Sequence, residues 1–201
     1  LGLRHGSSTV RMQRGSRGLS DIVAVVLFMG IALVLMIGLW SLLSSSYASD
    51  AEARDLLNRL SYERSNVVVR VVGLDSEEYS ATVLMRRLDG GNTIFFFVDN
   101  GTRYLACDKA VLATSGNITA RAIDIDSVYF AREGAVYEFK YEAKALGYPI
   151  PPSVLEICEL RSPDRNPMVK LYTGSQSFRV YVVAFINNKA YVAGVYEFAH
   201  G

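Results

Sequence analysis

The residues in this 201-residue chain whose types and spacing suit chemistry are two cysteines, two N-glycosylation patterns and a close pair of aspartates. Cys107 and Cys158 are the only cysteines, and both fall in strand-like stretches. In an exported domain an even count favours a disulfide over two buried thiols, because such domains fold in an oxidising environment. That bridge would close a loop of about 50 residues, worth ~3–5 kcal/mol through the unfolded state. Asn100-Gly101-Thr102 and Asn117-Ile118-Thr119 match the acceptor pattern for N-linked sugar, and both sit in turn-rich stretches. Asp124 and Asp126 are two apart, which puts both carboxylates on one face of a strand. That arrangement could suit a cation site or paired carboxylates, but such a pair is more often just the solvated face of a strand. The two histidines, His5 and His200, lie far from these groups in sequence, so neither is placed to complete a triad or a metal site. With no Gly-rich phosphate loop and no Cys-x-x-Cys, the expectation is a protein that is not an enzyme, with no cofactor and no metal.

The elements that carry these groups follow from how charge and hydropathy are distributed. The formal net charge is +1, but four of the 21 basic residues (Arg4, Arg11, Arg14 and Arg17) fall in residues 1–18, where there is no acid. The rest carries 17 basic against 20 acidic residues. A mildly acidic remainder argues against a nucleic-acid partner, which needs clustered Lys and Arg to displace counterions. Residues 22–43, IVAVVLFMGIALVLMIGLWSLL, hold no charge. At ~1.5 Å per residue a helix of that length spans roughly 33 Å, against a hydrocarbon core of ~30 Å. Trp40 near its far end suits the water interface. The run is too long for an ordinary secretory signal, whose apolar region covers roughly 7–15 residues. Arginines before the run and Asp50, Glu52 and Asp55 after it predict a cytoplasmic N-terminus and an outward-facing remainder.

Directly before the apolar run stand Arg17-Gly18-Leu19-Ser20-Asp21. This order of basic residue, Gly, Leu, Ser and then hydrophobics resembles the class III signal of archaeal type IV prepilins. The resemblance covers about residues 14–48. It implies that a membrane aspartic protease, the prepilin peptidase, cuts between Gly18 and Leu19 and leaves the hydrophobic helix as the new N-terminus. Arg17, Gly18, Leu19 and Ser20 would be the recognition residues. Gly suits that place because, having no side chain, it lets the backbone approach a protease cleft closely. Asp21 stands where such pilins often carry Pro. Val23 stands where bacterial pilins carry Glu, a departure that fits the archaeal branch. The resemblance further implies an ATP-driven assembly platform and a helical filament of identical subunits.

Beyond the serines, Ala53, Leu56, Leu57 and Leu60 recur at spacings of three and four, one apolar stripe of a helix. A single helix over about residues 20–62 is predicted, apolar all round in its first half and amphipathic in its second. From about residue 66 the period changes to two. Strand-like runs occupy residues 67–72, 81–87, 93–98, 104–107, 122–130, 136–143, 154–160, 169–172, 178–186 and 190–198. Asp89-Gly90-Gly91-Asn92 reads as a hairpin turn between the second and third runs, and Asn187-Asn188-Lys189 as the turn joining the last two. The fold class expected is α+β: a long N-terminal helix followed by an antiparallel β-sandwich, Ig-like or Greek-key, of eight to ten strands.

The expected organisation is a leader over residues 1–18 that is removed, a helix over 19–62, and an extracellular β-rich head over 63–201. The expected function is a structural pilin subunit supporting adhesion, at the membrane as a precursor and on the cell surface when mature. The alternative is an uncleaved single-pass membrane protein whose head binds a ligand or envelope partner.

Overall fold

The computed structural model describes residues 17–132 and 134–199, and leaves out the side chains of residues 17–20, Ser45, Ser46, Ala48 and Ser49. Residues 1–16 of the expected leader, and both histidines, therefore lie outside the described residues. The chain divides into two units, Leu1–Ala53 and Arg54–Gly201, and each is taken by itself below.

Helix α1 runs over Arg17–Asn66. In the first unit its span from Ile22 to Leu43 is dominated by Leu, Ile, Val, Ala and Met without a proline, and Leu, Ala and Met are good helix formers. Its last turns belong to the second unit. There Leu56 and Leu57 are half-buried and Leu60 is buried, so three of the four stripe residues face protein; Ala53 is exposed. Asp55 and Arg59 pair at 2.9 Å on the solvent side. The helix ends where the Ser65 hydroxyl and the Asn66 amide both donate to the Tyr62 carbonyl, satisfying an acceptor that the last turn leaves open.

Twelve strands follow among the described residues. The smaller sheet has the order β1 (Val67–Asp75), β2 (Ser80–Arg87), β10 (Met168–Tyr172), β5 (Ala110–Leu112), all antiparallel. The larger sheet has the order β6 (Asn117–Asp124), β9 (Val154–Arg161), β3 (Thr93–Asp99), β11 (Ser177–Ile186), β12 (Lys189–Ala199), β7 (Val128–Arg132), β8 (Ala135–Glu138), with β4 (Tyr104–Leu105) paired to β3. Among the described residues its one parallel pair is β12 with β7, so the head is a mixed rather than a purely antiparallel structure. β11 and β12 meet through Asn187 (φ 51°) and Asn188 (φ 62°), with Ile186 opposite Lys189. Two successive positive φ angles make the type I′ turn that matches strand twist, and Asn tolerates them.

The two sheets close on one core. Val67, Val69, Val83, Met85, Val169 and Leu171 of the smaller sheet meet Ile94, Phe96, Val98, Leu160, Val180 and Val182 of the larger. The other face of the larger sheet is covered by helix α2 (Phe139–Ala145), whose Phe139 and Ala143 pack on Phe97, Leu155, Ile157, Tyr181 and Val183. Leu60 of α1 lies with Ala184, Tyr191 and Ala193 of β11 and β12. The larger sheet is thus covered on both faces. That is why β11 reads as a nearly continuous apolar run, not an alternating one.

Three sequence expectations need correction. The stretch 136–143 is not one strand: β8 stops at Glu138 and α2 begins at Phe139. Phe139 and Ala143 are four apart, a spacing shared by one helix face and one strand face, so alternation alone does not separate them. The deciding feature lies downstream. Gly147 has φ +71°, and the Gly147 and Tyr148 amides donate to the Lys144 and Ala143 carbonyls, which is a Schellman close.

Asp89-Gly90-Gly91-Asn92 does not form a hairpin either, because β2 and β3 belong to different sheets. The loop is held by Arg87, which bonds both Glu63 of α1 and Asp89, while Asp89 accepts from the Gly91 amide. Lastly, Asp124 and Asp126 do not share a strand face. Asp124 ends β6 and its carboxylate caps the 3-10 turn Ile125–Ser127 by accepting from the Asp126 amide.

Candidate functional site

The first candidate is the apolar part of α1. Within residues Asp21–Ser44 an 18-residue window has a mean hydropathy of 3.0, and none of it is buried within the chain. Large side chains on every side of the helix are open, including Phe28 and Trp40 at 74% and Leu35 at 61%. Burying such a side chain is worth roughly 1.5–3 kcal/mol relative to leaving it in water, so a run this long does not rest in water alone. It is long and apolar enough to cross a membrane. Gly30 and Gly38 have nothing within 4 Å of an added Cβ, and both lie on open helix surface.

Arg17-Gly18-Leu19-Ser20 lies at the start of the described part of α1, and its backbone there is helical.

The head holds the remaining candidates. Cys107, in the 3-10 turn Cys107–Lys109 after β4, is bridged to Cys158 in the middle of β9, with Cα atoms 5.5 Å apart. Both are buried in the core between the sheets. The Cys107 amide also donates to Glu156 at 3.0 Å, so the bridge fastens an irregular segment to a central strand.

The structure separates the two sequons. Asn117 opens β6, an edge strand, and is exposed. Asn100 is buried, and its amide group is already committed. Its Nδ2 donates to the Thr173 carbonyl, and its Oδ1 accepts from the Thr102 amide, the Thr102 hydroxyl and the Arg103 amide. In the folded head Asn100 is a turn-forming residue whose nitrogen faces inward.

Beside it lies a group that the sequence reading passed over. Asp99 is fully buried and ion-paired to Arg179 at 3.1 Å. It also accepts from the Tyr181 hydroxyl and from the Gly101 amide. Arg179 reaches on to Glu197 at 2.9 Å and lies over the Tyr148 ring, 4.5 Å from its centroid. Burial, with the Asp99 carboxylate beside it, pushes the Tyr181 hydroxyl well above the ordinary range of a phenol. Burial raises Tyr104 in the same way. Both phenols stay protonated as donors: Tyr181 to Asp99 and Tyr104 to the Pro149 carbonyl. Each polar atom named here has a partner, so the cluster works as a buried clasp between β3 and β11. The clue in sequence was an acid directly after Phe95-Phe96-Phe97-Val98, at a strand end that had to be covered.

The aspartate pair is also occupied, since Asp126 pairs with Lys140 at 2.5 Å. Among the described residues no group of three His, Cys, Asp or Glu is placed to hold a metal ion. Compared with known proteins, the chain matches no family model, no curated protein and no solved structure.

Proposed function

We propose that the chain is a structural, pilin-like subunit of an archaeal type IV pilus, processed between Gly18 and Leu19 and polymerising through its apolar helix. The observation that carries this reading is the span Asp21–Ser44, exposed on all sides and directly preceded by Arg17-Gly18-Leu19-Ser20. In a membrane that span is solvated by lipid tails. In a filament it is solvated by copies of itself, through close side-chain packing rather than through release of water. The partners are the membrane, the prepilin peptidase, the ATP-driven assembly platform and other copies of the chain. The heads form the outer sheath and supply attachment to surfaces. A disulfide in the head suits the outer side of the membrane, because thiols are kept reduced in the cytosol.

The intact mass and N-terminal sequence of the native protein test the reading. A chain beginning at Leu19, recovered in filaments sheared from cells, supports it. A chain keeping residues 1–18 in native membranes would identify instead an uncleaved, single-pass protein with a binding head. Gly18→Trp is expected to block processing and filament formation together, and normal filaments from that variant would overturn the assignment of the cleavage bond.

A further inference from the structure

The larger sheet is covered on both faces, whereas the smaller one has only its inner face in the core. Strand alternation places Val68, Arg70, Leu84, Arg86, Met168, Lys170 and Val111 on the outer face, opposite the buried Val67, Val69, Val83, Met85, Val169 and Leu171. Two properties of that face bear on its occupant. It is partly apolar, with Val68 37%, Val111 49% and Tyr172 39% exposed. It is also cationic. Register sets Val68 against Arg86 and Arg70 against Leu84, so the two arginines are diagonal neighbours across β1 and β2, ~7–8 Å apart at the backbone. Both are exposed, and neither makes an ion pair among the described residues, whereas Lys170 beside them is neutralised by Glu78 at 2.8 Å. Two unpaired guanidinium forks this close repel each other and suit a shared carboxylate partner.

The chain carries matching acids. Asp50 and Glu52 of α1 are exposed, and neither forms an ion pair among the described residues. At ~100° per residue they stand on opposite flanks of Ala51. A helix laid down on its Ala51 side therefore approaches a surface closely and offers a carboxylate on each flank. We propose that the outer face of the smaller sheet docks the Asp50–Glu52 segment of a second copy of this chain, with Arg70 and Arg86 as the carboxylate-binding residues. The biological meaning of this contact rests on the pilin-like reading, but the contact itself is testable without filaments.

The test uses the full chain in mild detergent micelles, with two differently tagged preparations and association measured between them. Wild-type association is expected to weaken as salt rises from 50 to 500 mM, because exposed charge pairs are screened over that range. R70E/R86E and D50R/E52R, each paired with itself, are expected to associate roughly tenfold more weakly. Mixing the two variants juxtaposes opposite charges again and is expected to restore association to within about threefold of wild type. Association unchanged by either reversal, or a mixture as weak as each variant alone, overturns the proposal. So does a loss of binding to anionic-lipid vesicles in R70E/R86E with copy-to-copy association intact, which would make the face a lipid contact. Thermal melting of R70E/R86E checks that the head stays folded, as expected for substitutions at exposed positions. A wild-type chain that associates in this way but forms no filaments on cells would overturn the pilin reading and leave the docking face standing.

Discussion

Between Ile22 and Leu43 every large apolar side chain is open, from 51% at Val23 to 74% at Phe28 and Trp40, while in the head Val83, Met85, Phe96, Phe97, Phe139 and Val180 are closed to solvent completely. Both regions are strongly apolar, and they differ in where the partner for that surface comes from. The head supplies its own, by folding two sheets on each other and a helix on the back of the larger. The helix segment supplies none, so its partner must come from outside the chain. The head's polar groups are also settled internally, down to a buried Asp99 that accepts from three donors, on Arg179, Tyr181 and Gly101. Damage to the head is therefore expected to appear as lost stability, and damage to the helix segment as lost association with stability unchanged.

The largest effect tests the head. Asp99→Ala strands the buried Tyr181 phenol and takes one of two carboxylates from the half-buried Arg179 guanidinium, and a broken buried pair costs ~3–5 kcal/mol. At roughly 2–4 °C per kcal/mol for a chain of this size, thermal melting is expected to fall by about 10 °C with membrane association unchanged. A smaller loss would mean that Glu197 alone satisfies Arg179.

Removing the bridge through Cys107→Ala with Cys158→Ala comes next. Closing a 51-residue separation is worth ~4 kcal/mol through the unfolded state, read as a fall in the denaturation midpoint that reductant reproduces in the wild-type protein. A wild-type protein indifferent to reductant would remove the bridge from the account.

Val34→Asp inverts the readout. A carboxylate at the middle of the span is expected to oppose membrane insertion by ~3 kcal/mol, shifting the protein out of the membrane fraction while the head melts as before. A variant that stays in the membrane fraction would erase the contrast between the regions.

The smallest effect concerns the loop that ties α1 to the head. The Arg87 guanidinium bonded to Asp89 holds that carboxyl down from 3.8 to about 2. A depressed folded-state value means that its stabilisation is fully present above pH 3.8 and disappears as pH falls through about 2. Acid unfolding curves of Arg87→Gln are expected to lose the part of their slope that lies between those values. Identical wild-type and variant curves would show that the Arg87–Asp89 pair adds nothing to stability.

Legibility differed by region for the same physical reason. The helix segment could be read from sequence because its properties are local: length, absence of charge, flanking arginines and the Arg17-Gly18-Leu19-Ser20 junction require no knowledge of distant residues. Most strands were equally legible, since the enrichment in β-branched and aromatic residues over residues 81–87 or 178–186 is set within each segment. Asn187-Asn188 specified its turn because two positive φ angles are a property of those two residues.

Tertiary structure decided what depends on partners far along the chain. Phe139 and Ala143 fit a strand or a helix until the larger sheet required a cover and Gly147 closed the turn. Asp89-Gly90-Gly91-Asn92 announced a turn, but the pairing of β2 with β1 and β10, and of β3 with β9 and β11, made it a crossing between sheets. Asn100 and Asn117 carry the same motif, and burial alone tells them apart, because Thr173 lies 73 residues from Asn100 in sequence and 3.0 Å away in space. Periodicity and motif determine what a segment can become. Which of two equal options it takes is set by the surfaces and hydrogen-bond partners that folding brings to it.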